Sequence, residues 1–154
     1  MCVCYDHGRL EDREMLARWK SENETKMHRF WKIIRKNGAP HMREDDDPSF
    51  RYKPGWNRAV DRVRNGGRSK GTPLVDGYHY RKGRPRGIHF YKEKPPLVSI
   101  GSGCIAVPVY VVGADIIALD RVHICHSIPA EGAATSVYIR REDLIEARVD
   151  FPQE

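Results

Sequence analysis

No apolar run in this 154-residue chain approaches the roughly 20 residues needed to cross a bilayer. The longest greasy stretch, Cys104 to Leu119, is broken by Pro108, Gly113 and Asp115, and it reads as core strands. The opening MCVCYDHGRLEDRE has no apolar h-region and soon turns acidic, unlike a secretory signal. A cytoplasmic protein with no membrane contact and reduced thiols is expected. Cysteine is scarce. Cys2, Cys4, Cys104 and Cys125 form no disulfide framework, and a Cys2–Cys4 bridge would be strained.

Motifs that announce a reaction are also missing. There is no GxxxxGK(S/T), no dinucleotide-binding glycine pattern, no HExxH and no GxSxG. Gly101-Ser102-Gly103 is too short to cradle a phosphate and reads as a tight turn. Cys2, Cys4 and His7 offer three zinc ligands without the paired spacing of structural sites, so Cys104, Cys125 or His126 would have to complete the set. The acidic run Glu44 to Asp47 lacks the central Gly and terminal Glu of a calcium loop. No metal and no cofactor are expected. Cys125 lies between His123 and His126, but on a strand His126 would face away from the other two, and a small core residue is the simpler reading.

What is present is an uneven charge. Residues 1–50 hold 10 Lys/Arg and 10 Asp/Glu. Residues 51–94 hold 13 Lys/Arg and 3 Asp/Glu, and residues 95–154 hold 4 and 8. The formal net charge of +6 therefore arises in the middle of the chain. Two clusters build it, Arg51 to Gly71 and Tyr78 to Lys94, and both interleave cations with aromatic rings. Cations make charge-assisted bonds to phosphate, and ring faces stack on bases. Arg51, Lys53, Trp56, Arg58, Arg62, Tyr78, His79, Arg81, Lys82, Arg84, Arg86, His89 and Tyr91 are the candidate ligand-binding residues. A solvated basic face is the competing reading.

The local patterns suggest a single domain over 1–154, of α+β class. The expected architecture is a small antiparallel sheet of five or more short strands with two or three short helices. Leu10, Met15, Leu16 and Trp19 recur at helical spacing, predicting a helix over 10–22 that packs on the sheet. HRFWKIIR (28–35) predicts a strand, with a continuing helix as rival, and Asn37-Gly38 a turn. Phe50 to Trp56 predicts a short strand ending at Pro54-Gly55. Asn57 to Arg64 predicts a short helix, followed by a polar loop to Thr72. In GIHFYK (87–92), Ile88 and Phe90 should face one way, His89 and Tyr91 the other. CIAVPVYVV (104–112) predicts a strand whose Pro108 argues for an edge or a bulge. Further strands are expected at 116–119, 121–127 and 134–140, with a loop over 128–132. A terminal helix over 142–147 should pack Leu144 and Ile145 inward, and the tail after Asp150 should fray.

YKPGWN (52–57), GIHFYKEK (87–94), AVPVYVVGADIIAL (106–119) and VYIRREDL (137–144) together resemble a layout shared by some small phage and bacterial proteins. In that layout a G-I/F-H-x-F/Y strand precedes a V-x-V strand and a final V-Y-I segment. The resemblance implies a phage-type accessory role and makes Gly87-Ile88-His89 a signature of fold. It implies no particular activity.

Three functions follow as expectations. The first is non-enzymatic binding of nucleic acid or a nucleotide through segment 51–94. The second is a phosphodiester- or nucleotide-processing enzyme, with His79 or His89 as general acid or base and Tyr91 beside them. The third is a protein partner, with the chain acting as an interaction module that inhibits a host factor. Reversing the charges of Arg81, Lys82, Arg84 and Arg86 is expected to abolish salt-sensitive binding of an oligonucleotide. Unchanged binding in a filter or anisotropy assay would count against the basic segment as the contact.

Overall fold

A computed structural model describes residues 5, 8–41, 50–59, 61–64, 67–73, 87–96, 100–120 and 131–152, with only the backbone of 61–64 and 67–73. Helix α1 spans Leu10–Asn23. The strands are β1 (Met27–Arg35), β2 (Gly55–Arg58), β3 (Asp61–Arg64), β4 (Gly67–Pro73), β5 (Ile88–Tyr91), β6 (Cys104–Val112), β7 (Ile116–Leu119), β8 (Glu131–Ala134) and β9 (Ser136–Ile139). A short 3-10 turn at Gly113–Asp115 joins β6 to β7, and helix α2 covers Arg141–Glu146. Seven strands form one antiparallel sheet in the order β2-β9-β6-β1-β5-β8-β7, and β3 and β4 form a separate hairpin. The architecture is thus α+β. The sheet is larger than the expected minimum, and the described residues hold two α-helices and no third.

The sheet is built on β1 and β6. They pair along nine residues, from Met27↔Val112 to Arg35↔Cys104. Strand alternation then sorts the side chains. Phe30, Ile34, Val107, Val109 and Val111 go to one face, where Ile88, Phe90, Val137 and Ile139 join them. Phe30 and Phe90 stack with centroids 4.4 Å apart. Full burial of each such side chain contributes roughly 1.5–3 kcal/mol. Tyr52, Leu144 and Val149 close this core from above, and Met15, Leu16 and Trp19 of α1 pack against it. Met15 and Leu16 also pack against a second, smaller cluster of Tyr5, Ala118 and Ala133 at the β7 side.

Pro108 is a correction with a physical reason. β6 is an interior strand, not an edge. The bonds Lys36 N–H to Gly103 O and Gly113 N–H to Lys26 O, both 3.0 Å, fix the ladder parity. Trp31 and Pro108 therefore form a non-hydrogen-bonded pair, and the proline nitrogen faces β9. β9 has ended there. Its register, Tyr110↔Tyr138, would put Arg140 opposite Pro108, and Arg140 is already the N-cap of α2. The missing donor costs nothing at a place where the ladder stops.

Other expectations are also corrected. The described residues of 57–64 hold no helix: β2 continues through Arg58, and Asp61–Arg64 is a strand. The loop expected up to Thr72 is β4. The strand expected at 50–56 begins only at Gly55, because buried Asn57 binds Lys53 N–H (3.0 Å), Lys53 O (2.8 Å) and Gly55 O (3.1 Å) and so holds a turn. Glu131 and Gly132 belong to β8, and Thr135 separates β8 from β9 where one strand was expected. On α2 Leu144 is buried, but Ile145 is 59% exposed, since successive helical residues diverge by about 100°. The tail is anchored by Asp150 N–H to Lys36 O (2.8 Å), and Phe151 packs on the core. The strand expected at 121–127 and the acidic run at 44–47 lie outside the described residues.

At the corner after β6, Gly113 donates to Lys26 O (3.0 Å), and a Cβ there would collide with the Asn23 carbonyl. Gly113→Ala is expected to destabilise the fold by about 2–4 kcal/mol, read from urea unfolding midpoints.

Candidate nucleic-acid interface

The same alternation that fills the core defines the opposite face. β1 sends Arg29, Trp31, Ile33 and Arg35 there, and β6 sends Cys104, Ala106, Pro108 and Tyr110. β9 adds Ser136 and Tyr138, β2 adds Trp56 and Arg58, and β5 adds His89 and Tyr91. Register then aligns them. Trp56↔Tyr138, Tyr138↔Tyr110 and Tyr110↔Arg29 are direct partners, so one row crosses four adjacent strands.

Ladder parity tightens this row. Ala59 N–H donates to Thr135 O (2.9 Å), which makes Trp56↔Tyr138 a non-hydrogen-bonded pair, the closer kind. Their rings meet edge to face, centroids 5.4 Å apart at 70°. Trp56 remains 43% exposed. The Arg140 guanidinium lies over the Tyr110 ring at 5.1 Å. Asp143 holds it there through two bonds, Nε to Oδ2 at 2.8 Å and Nη2 to Oδ1 at 3.0 Å. In the neighbouring row Trp31 is flanked by Arg29 at 4.7 Å and Lys94 at 5.3 Å. The surface alternates half-exposed rings with cations.

The face closes toward its other end. Ile33 and Ala106 are buried there, 2% and 8% exposed. Arg35 reaches the carbonyls of Pro40 (3.2 Å) and His41 (3.4 Å), and His41 Nδ1 lies 3.3 Å from Cys104 Sγ. At the far corner, beyond Trp56, a recess of about 310 Å³ is lined by Trp56, Arg58, Ala59, Asp115, Thr135 and Ser136.

A polar cluster borders the platform at β5 and β8. Lys32, 5% exposed, donates to His89 O at 2.6 Å, and its ammonium lies 5.4 Å from the Tyr52 ring centroid. Glu131, opposite Tyr91 on β8, is 6% exposed. Its carboxyl is pushed up to about 7, chiefly by burial; the charge of Asp120 also raises it, while a bond from Tyr91 and the charge of Lys32 lower it.

Of the sequence candidates, Trp56, Arg58, His89 and Tyr91 share this face. Arg51 and Lys53 do not join it: Arg51 turns back to Phe50 O (2.8 Å), and Lys53 sits in the turn held by Asn57. Tyr78, His79, Arg81, Lys82, Arg84 and Arg86, and the side chain of Arg62, lie outside the described residues, as do Cys2, Cys4, His7 and Cys125. Sequence reasoning missed Arg29, Trp31, Tyr110, Tyr138 and Arg140. All five sit in segments without excess positive charge, where only the in-out alternation could have flagged the three aromatics on the outer face. No group of three or more metal-binding side chains occurs among the described residues, and none of their helices is long and apolar enough to cross a membrane. Comparison with protein-family models, curated proteins and solved structures returns no match.

The raised Glu131 carboxyl makes stability depend on pH. Between about 4.5 and 7 the folded state keeps a proton that the unfolded chain releases, so stability falls as pH rises through that window. The loss is on the order of 3 kcal/mol. Glu131→Gln is expected to flatten this decline and to raise the melting temperature at pH 8. Parallel melting-versus-pH curves for both proteins would contradict the assignment.

Proposed function

We propose that the chain binds single-stranded nucleic acid on the open face of its sheet. The observation that carries this reading is the row Trp56–Tyr138–Tyr110–Arg29, with Arg140 over Tyr110 and with Trp31 set between Arg29 and Lys94. Rings on neighbouring strands offer successive bases flat surfaces, and guanidinium planes stack as well as neutralise phosphate. A duplex shields its base faces, so rings at this exposure favour a strand whose bases are unstacked. The high positive charge of residues 51–94 adds long-range attraction for the same partner.

The reading moves the contact surface partly out of the basic segment. Trp56, Arg58, His89, Tyr91 and Lys94 supply it from within residues 51–94, and the rest comes from β1, β6, β9 and Arg140 at the start of α2. A general-base role for His89 gains no support, since its Nε2 is buried. The small phage and bacterial proteins that the chain resembles suggest an accessory setting for such a binder.

Anisotropy with a labelled single-stranded oligonucleotide tests the proposal. Trp56→Ala and Tyr110→Ala are each expected to weaken binding by about 1–3 kcal/mol. Arg29→Ala should lower the slope of log K against log salt by about 0.7. Affinity independent of salt and of these rings would sink the reading and favour a protein partner.

A further inference from the structure

The recess at the Trp56 corner carries more than a general affinity for nucleic acid. It is formed where β2, β9 and the 3-10 turn meet, and Thr135 ties them together. Thr135 N–H donates to Asp115 O at 2.9 Å, and its hydroxyl reaches the same oxygen at 3.4 Å. The Asp115 carbonyl is thus occupied by the fold; the residue itself lines the recess half-buried, and its carboxylate has no hydrogen-bond or ion-pair partner among the described residues. The Arg58 side chain is likewise unengaged and exposed, on the same wall as Ser136. Trp56, 43% exposed, is the aromatic member of the lining. The volume, about 310 Å³, is at the low end of small-molecule pockets, which hold roughly 300–1,000 Å³.

We propose that this recess is a nucleobase subsite selective for guanine, at the end of the stacking platform. The inference rests on the reading of the sheet face as a nucleic-acid surface. Each group has one chemical use. The indole stacks on the base. The guanidinium of Arg58 takes the attached phosphate. The Asp115 carboxylate accepts hydrogen bonds only, so it selects a base edge made of donors. Guanine alone among the common bases places two adjacent donors, N1–H and N2–H, on its pairing edge. Adenine and cytosine set a ring-nitrogen acceptor beside their amino group, and uracil flanks its N3–H with two carbonyls. Each of those acceptors would face the carboxylate unpaired and repel it.

The test is calorimetric titration of the full chain with GMP, AMP, CMP and UMP at low salt. GMP is expected to bind at least about tenfold more tightly than the others, which is the discrimination one two-point contact gives. Asp115→Asn keeps the backbone carbonyl that Thr135 uses, so its melting temperature should stay unchanged. Asparagine offers one donor and one acceptor. The variant should therefore lose the GMP preference and gain affinity for xanthosine monophosphate, whose edge carries N1–H beside a carbonyl. Arg58→Ala should weaken all four nucleotides alike. Equal affinity for the four, or a retained guanine preference in Asp115→Asn, overturns the subsite and leaves oligonucleotide binding by the platform standing. Failure of the platform reads differently, as oligonucleotide binding indifferent to Tyr110 and Arg29, which lie outside the recess.

Discussion

The antiparallel pairing of β1 with β6 is the constraint on which the rest of the structure depends. Nine residue pairs lock the two strands in one register, and a slip of one residue would exchange the faces. With the register set, Phe30, Ile34, Val107, Val109 and Val111 must lie on the helix-covered side, and Arg29, Trp31 and Tyr110 on the other. The remaining strands extend this sorting outward in both directions. β5, β8 and β7 follow beside β1, and β9 and β2 beside β6. Core and candidate interface are two consequences of one alternation.

The two faces are then treated differently by the rest of the chain. α1, α2 and the stretch around Tyr52 cover the apolar side, where the buried Lys32 ammonium binds the His89 carbonyl beside the Tyr52 ring. The opposite side is held by contacts among its own members. Asp143 is the clearest case. It is nearly buried, at 7% exposure, and its bidentate grip fixes Arg140 over Tyr110 at the point where β9 gives way to α2. That same strand-to-helix change removes the ladder opposite Pro108. One local transition therefore explains a proline inside a central strand and the placement of a cation over an aromatic ring.

Much of the fold was legible locally. α1, β1, β5 and β6 fall close to their expected bounds, because each carries a periodic pattern strong enough to be read in isolation. The opposite orientation of Ile88/Phe90 and His89/Tyr91 followed from period-two alternation and matches their burial. The errors cluster where local preference and tertiary pairing disagree. Ala59, Val60 and Val63 have fair helical spacing, yet β2 is claimed by β9, and Asp61–Arg64 pairs with β4. Asn57 looked like a helix start, but its side chain folds back on Lys53 and Gly55 instead. Ile145 follows Leu144 in sequence but not in direction.

Taken alone, the sequence determined the class of element in its strongly periodic segments, the position of its excess charge, and the absence of any familiar catalytic motif. These are properties of neighbours along the chain, and hydrophobic alternation encodes them directly. Only the tertiary structure decided which strands lie side by side. Trp56, Tyr138, Tyr110 and Arg29 come from four segments spread over most of the chain, and no local pattern links them. Strand pairing is a non-local choice, settled by which register buries the most apolar surface on the other face. The candidate interface is the exposed counterpart of that choice, so its residues became visible only once the core had been assembled.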